Sequence, residues 1–248
     1  MRMLIFGAGR VGASIARYAS HLGIEVSAVS RRQTLADRAA VSAWLRKADV
    51  VAAAIPDDRL SSWRREWAAE IGARKVIHFS GALTIEGMQS YHPLYSFPTD
   101  ALAPEIMARV AIAREDGAPT FASIFPGASN PEFVVRAEDR PYYHALAVLS
   151  GNFAAHLWNE TAKGLSSRFG LPPEEILASY LAGVVDRFRE SPFDSLTGPV
   201  ARQDAQSVAA NLSALEAEPR LKALYLAFLA SAWPGWPDRN ESKGEKPG

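Results

Sequence analysis

The sequence predicts an α/β protein, in which a doubly wound, mostly parallel sheet is followed by a smaller all-helical domain. Three observations carry this. The chain opens with an apolar run, Met3 to Phe6, that leads straight into Gly7-x-Gly9-x-x-Gly12 and then into an amphipathic stretch from Ser14 to Leu22. Short apolar runs then alternate with helical patterns up to about residue 138, which implies parallel strands with helices on both faces. Beyond Asp139 only helical patterns remain.

The elements follow in order. Glu25 to Val29 is a second strand and Leu35 to Lys47 a helix. Asp49 to Ile55 is a buried strand stopped by Pro56. Leu60, Trp63, Trp67 and Ile71 share one face of a helix from Asp58 to Ile71, closed by Gly72. Lys75 to Phe79 and Gln89 to His92 are further strands. Val110 to Ala113, Thr120 to Ile124 and Phe133 to Arg136 complete the strand pattern. Asp139-Arg-Pro141 is a cap with proline in the first turn of a long helix that stops at Gly170. Pro173 to Arg189, Asp204 to Glu216 and Pro219 to Trp233 are the remaining helices. The expected domains are therefore residues 1–138 and 139–233. A Pro-, Gly-, Lys- and Glu-rich tail, 234–248, has a composition suited to disorder.

Composition narrows the function. Lys+Arg and Asp+Glu balance at 27 each, which gives no general attraction to nucleic acid or an anionic membrane. Cysteine is absent, so disulfides and thiolate metal sites are excluded. No apolar run approaches the ~18 residues of a membrane span. The N-terminal run is too short for a leader and already serves as a strand, so a cytoplasmic protein is expected. The histidines show no metal-type spacing, and neither a GxSxG elbow nor a GxxxxGK[ST] loop is present.

The glycine loop points to a dinucleotide. Gly7 permits the tight turn, Gly9 lets the backbone approach a pyrophosphate, and Gly12 allows close packing of the helix. With Ala8, Arg10 and Val11, these residues present helix-terminal N–H groups to phosphate. NAD-binding units carry an acidic residue about 20 positions beyond the glycines. Here the second strand ends Val29-Ser30-Arg31-Arg32, and a serine with two arginines suits a 2′-phosphate. NADP(H) is therefore preferred and NAD(H) is the alternative; Arg31 and Arg32 read otherwise as solvated loop residues. Ile55, Pro56 and Asp57, at the end of the third strand, complete the cofactor side.

Ligands of open α/β sheets sit at the carboxyl ends of strands. That places Ser80 and His92 near the reacting centre, His92 exchanging a proton near neutral pH and Ser80 orienting it. His92 reads equally as a structural residue before Pro93, while His78 is assigned to the core. On the long helix Asn152, His156, Asn159 and Lys163 form a polar stripe. Asn152, beside Ser150-Gly151, is its best ligand candidate, and His144 is a second. In the loop before the third helix of the second half, Thr197 and Arg202 suit a carboxylate, and Asp204 suits a cap. Broad apolar faces such as Leu221, Leu224, Tyr225, Phe228 and Leu229 suggest a homodimer.

Several of these segments occur together in one family. Gly7-Ala-Gly-Arg-Val-Gly12, Ile55-Pro-Asp-Asp58, His78-Phe-Ser-Gly-Ala82, His92-Pro-Leu-Tyr-Ser-Phe97, Tyr143-His-Ala145, Ser150-Gly-Asn152 and Leu196-Thr-Gly-Pro-x-x-Arg-x-Asp204 resemble, in that order, the Rossmann-like proteins with a DUF2520 C-terminal domain. These are similar to the 6-phosphogluconate-dehydrogenase-like superfamily, which includes ketopantoate, pyrroline-carboxylate and prephenate enzymes. The resemblance implies an NADP-dependent oxidoreductase of a small 2-oxo or 2-hydroxy acid, ketopantoate being the first candidate. It gives Ser80 and His92 to the substrate hydroxyl, as in prephenate dehydrogenases. On this reading His92 with Ser80 moves the proton, Asn152 holds the reacting oxygen, and Arg202 with Thr197 holds the carboxylate. Two departures stand out: the family's Ala-Ser-Asn is Ser150-Gly-Asn152 here, and its Arg-Gly-Asp is Arg202-Gln-Asp204. The alternatives are a silent NADP(H)-binding protein of the same fold and a reductase of imine or prephenate-like substrates.

Overall fold

A computed structural model describes residues 1–236. The expected tail therefore falls largely outside the described residues. Its first part does not: the Trp233 and Trp236 rings pack 5.0 Å apart.

The chain divides into two compact units, Met1–Asn152 and a second from Phe153 on. The first contains β1 (Arg2–Phe6), α1 (Arg10–His21), β2 (Glu25–Val29), α2 (Arg31–Ala36), α3 (Arg38–Lys47), β3 (Val50–Ala53), α4 (Asp57–Glu66), α5 (Ala68–Ile71) and β4 (Lys75–His78). It continues through β5 (Gln89–Pro93), α6 (Pro104–Met107), β6 (Ile112–Glu115), α7 (Phe121–Ile124), β7 (Glu132–Val135) and α8 (Arg140–Val148). The sheet order is β2-β1-β3-β4-β5-β6-β7. The first five strands are mutually parallel, β6 runs antiparallel to β5, and β7 is parallel to β6. The mostly parallel, doubly wound sheet is thus present, followed by a helical region.

Alternation along the strands builds two cores, because successive side chains leave opposite faces of a sheet. Met3 and Ile5 join Ile15, Tyr18 and Ala19 of α1 on one face. Leu4 and Phe6 meet Val41 and Leu45 of α3 and Leu60, Trp63 and Trp67 on the other.

Three expectations change. The helix expected over residues 35–47 is two helices, because Asp37 accepts the Ala40 N–H at 2.8 Å and starts a new one. The helix expected over 58–71 breaks at Trp67 into α4 and α5. The strand expected at Thr120 to Ile124 is a helical turn. Phe121, Ile124 and Phe125 are spaced i, i+3, i+4 and all three are buried, and Thr120 Oγ1 meets Ser123 Oγ at its start.

The second unit holds α9 (Ala154–Phe169), α10 (Pro173–Glu190), α11 (Ala205–Ala214) and α12 (Pro219–Ala232). Left-handed Gly170 ends α9. Val200, Val208, Leu229 and Trp233 form its small core. Among the described residues no helix is long and apolar enough to cross a membrane.

Trp67 is buried, 5.3 Å from the Phe6 ring and 4.1 Å beneath the Arg38 guanidinium. Trp67→Ala is expected to cost about 3–5 kcal/mol in urea unfolding, the range for deleting a large core aromatic.

Candidate functional site

The parallel strands put four segments on one carboxyl edge: the loop after β1, Ala54 to Asp57 after β3, Phe79 to Gly81 after β4, and Leu94 after β5. The chain leaves β1 toward β2 and returns to β3 on the other side, so a crevice opens between β1 and β3.

The three glycines divide their work there. Gly7 has φ +107°, and a Cβ on it would overlap the Ala54 carbonyl. A Cβ on Gly12 would overlap the Gly7 carbonyl and press on the Ala54 methyl. Both glycines are therefore required by contacts within the protein. At Gly9 a Cβ would meet nothing within 4 Å. Gly9 is the N-cap of α1 and supplies no side-chain cap, which leaves the first N–H groups of the helix to another partner. Ala8 and Arg10 are exposed beside it and Val11 is half-buried.

At the tip of β2 the Ser30 hydroxyl caps α2. It accepts the Gln33 N–H at 3.3 Å and donates to Gln33 Oε1 at 2.8 Å. The expected ligand role of Ser30 thus competes with a capping box. Arg31 is exposed, as is Arg32, and neither makes a salt bridge among the described residues.

The other expected groups are arranged differently from their assigned partnerships. Ser80 Oγ donates to Asp57 at 2.6 Å and accepts from the N–H groups of Ala82 and Leu83. The expectation that Ser80 orients His92 is not met, because its hydrogen bonds are taken by Asp57 and its own loop. The partner of His92 is Tyr143, whose hydroxyl lies 2.7 Å from Nδ1. The His92 and His144 rings stand edge to face, 5.6 Å between centroids. Both press on Gly81, where a Cβ would overlap His144 Nδ1 and lie 3.1 Å from His92 Nε2. Nε2 has no protein partner among the described residues.

Beneath this pair lies Arg140, which is fully buried. It donates to the Ser80 carbonyl at 2.7 Å and to the Ser90 hydroxyl, while its Nε and Nη1 have no partner. Burial lowers its affinity for a proton, and the Glu115 carboxylate opposes that. Arg140 was expected only to flank a helix cap; the sequence carries no mark of a buried cation there.

Protonation departs from expectation too. Burial, then the neighbouring His144 and Arg140, push His92 down to about 4. His78, buried as expected, is pushed down to about 4 by burial and Arg140. Burial raises Tyr143 to about 12. At pH 7 the pair is a neutral imidazole and a phenol, not the freely titrating histidine expected from the sequence.

A cavity of about 510 Å³ opens beside this pair, and its wall includes His92, Tyr143, His144, Leu146 and Asn152. Ser150, Gly151 and Asn152 lie in a π-turn, Leu149–Phe153, between α8 and α9. The wider turn interrupts the 100° spacing behind the polar stripe expected from Asn152 to Lys163. Lys163 instead pairs with Glu160. Thr197 and Arg202 belong to the second unit and are exposed on the loop before α11, and Asp204 caps that helix by accepting the Ser207 N–H. Among the described residues no group of His, Asp or Glu is placed to hold a metal ion.

The comparisons agree with this fold. Residues 110–231 match the family described as Domain of unknown function (DUF2520). No curated protein matches the chain. A Bacteroides fragilis protein, provisionally assigned as an NADP oxidoreductase, superposes with a TM-score of 0.71 at 18% identity, over 93% of this chain and 97% of its own. A Thermotoga maritima protein gives 0.66 at 24% identity, over 92% and 95%. Pyrroline carboxylate reductase of Plasmodium falciparum, solved with NADP bound, gives 0.57 at 13% identity, over 94% and 95%.

His78 and His92 have depressed folded pKa values, so below 6.5 the unfolded chain takes up protons that the folded chain refuses. Stability is then lost as pH falls from about 6.5 toward 4. Urea midpoints are expected to fall between pH 6.5 and 5, above the carboxylate range, and to fall less steeply in His78→Leu.

Proposed function

We propose that this chain, a Rossmann protein carrying a DUF2520 domain over residues 110–231, is an NADP-dependent oxidoreductase. The observation that carries the reading is the division of labour among the glycines. Gly7 and Gly12 are closed by the protein's own backbone, while Gly9 stands open at an uncapped helix N-terminus. The diphosphate of NADP would meet the amides of Gly9, Arg10 and Val11, where unpaired N–H groups and the helix dipole favour an anion. Arg31 and Arg32 would take the 2′-phosphate, and Ile55, Pro56 and Asp57 would border the cofactor. Ser80 holds Asp57 in place. When bound, the nicotinamide supplies the donor or acceptor of a hydride.

The chain's own part is to move a proton and hold the substrate. His92 Nε2 takes the proton of a substrate hydroxyl, or returns it to a carbonyl, while Nδ1 stays bonded to Tyr143. That bond fixes the ring's orientation, and Nε2 is free to act as the base in the tautomer whose Nδ1–H donates to the Tyr143 oxygen. Asn152 and His144 would hold the reacting oxygen, a reading supported by their position on the wall of the same cavity. The finer reading is a small 2-oxo or 2-hydroxy acid, with a carboxylate role for Thr197 and Arg202. Titration with NADPH should quench tryptophan fluorescence saturably, with NADH binding at least tenfold more weakly. Replacing Arg31 and Arg32 by alanine should erase that preference, and absence of binding by either nucleotide would overturn the reading.

We infer further that the chain pairs with a second copy. Not one residue of the 18-residue helix α10 is buried, although Ile176, Tyr180, Val184 and Phe188 recur along it at a spacing of four. Such a face has a high solvation cost when left in water. Light scattering after size exclusion should give about 54 kDa, twice the 26.9 kDa of one chain. A monomer at micromolar concentration would contradict it.

A further inference from the structure

The cavity beside the His92–Tyr143 pair is large, open to a small molecule, and lined without a formal charge. Leu94, Leu146, Ala147 and Val148 form its apolar wall, and its polar groups are hydroxyls, an amide and histidine rings. It holds no lysine, arginine, aspartate or glutamate. The Arg140 guanidinium is sealed beneath the site and takes no part in the wall. All twelve lining residues fall between His92 and Asn152, so the cavity is a property of the first compact unit.

An uncharged wall discriminates. An aliphatic or aromatic body loses its hydration shell favourably against leucine and valine. A carboxylate in the same place gives up water for hydroxyl, amide and imidazole groups with no countercharge in contact, because the Arg140 guanidinium is sealed behind them, and an unpaired desolvated charge is strongly disfavoured. A volume of about 510 Å³ lies within the range of small-ligand pockets.

We propose that the cavity takes the uncharged, apolar body of the substrate next to its reacting carbon, and rejects a substrate whose body bears a second carboxylate. This rests on the oxidoreductase reading and narrows it. If the reacting compound is a 2-oxo acid, it is a branched or aromatic monoacid and not a dicarboxylate.

The test is direct binding of two 2-oxo acids, 4-methyl-2-oxopentanoate and 2-oxoglutarate, followed by calorimetry on the full chain with and without NADPH. The monoacid is expected to bind at least tenfold more tightly. Leu146 is 45% exposed and therefore tolerant of replacement. Leu146→Arg, confirmed folded by its thermal transition, should bring in a countercharge and close or reverse that gap. Equal affinity for the two acids in the native chain, or a gap unchanged in Leu146→Arg, would overturn the proposal. So would failure of both acids to bind while NADPH binds normally. Failure of NADPH itself to bind would instead overturn the reading beneath it.

Discussion

The closeness of three backbone segments at the end of β1 is the constraint on which the rest depends. Gly7 lies against the Ala54 carbonyl and Gly12 against the carbonyl of Gly7, so the β1 turn, the start of α1 and the end of β3 form one packed knot. No side chain fits at either glycine. The knot fixes where the free amides of α1 emerge, against Ala54 at the end of β3, three residues before Asp57 opens α4. Through the Ser80–Asp57 hydrogen bond the same geometry reaches the end of β4, and through the Ser90 hydroxyl bonded to the Ser80 carbonyl it reaches β5. A chain of contacts thereby runs from the end of β1 to β5, three strands away, which carries His92.

Electrostatics gives the second half of the site its character. A fully buried guanidinium lies among imidazole rings, and its field together with desolvation keeps His78 and His92 neutral. A buried cation with two unpartnered nitrogens is a costly arrangement for a core. Here it ties α8 to the carboxyl ends of β4 and β5, because the Ser80 carbonyl and the Ser90 hydroxyl are its acceptors. Tyr143, three residues along the same helix, meets His92 as a consequence. The His92–Tyr143 pair and the cavity wall are thus built from the end of β5 with the residues after it, from α8, and from the π-turn that follows α8.

Much of this was legible in the sequence, and the remainder was hidden for physical reasons. The glycine spacing is local, and so are the period-two strands that place it, so the loop, the sheet and the crevice could be anticipated. Residues 120–124 read as a strand because a run so short fits both periods; the burial of Phe121, Ile124 and Phe125 together identifies the helical one. The hydrogen-bond partners of Ser80 and His92 are not legible in the same way. Strand order puts them near each other, but side-chain direction decides their partners, and Asp57 lies closer to the Ser80 hydroxyl. Tyr143 sits 51 residues from His92. Its motif was visible, but no local pattern announces a contact at that separation. Arg140 sat where a helix start was expected, and an arginine before proline reads as solvated until the sheet is folded against it.

The central claim is that the amides at the start of α1 hold a diphosphate. Backbone amide chemical shifts of the full chain, followed by NMR as NADP is added, test this most directly. The largest changes are expected at Gly9, Arg10 and Val11, with smaller ones at Arg31 and Arg32. Saturable binding that left those three amides unmoved, or a titration with no shifts at all, would contradict it.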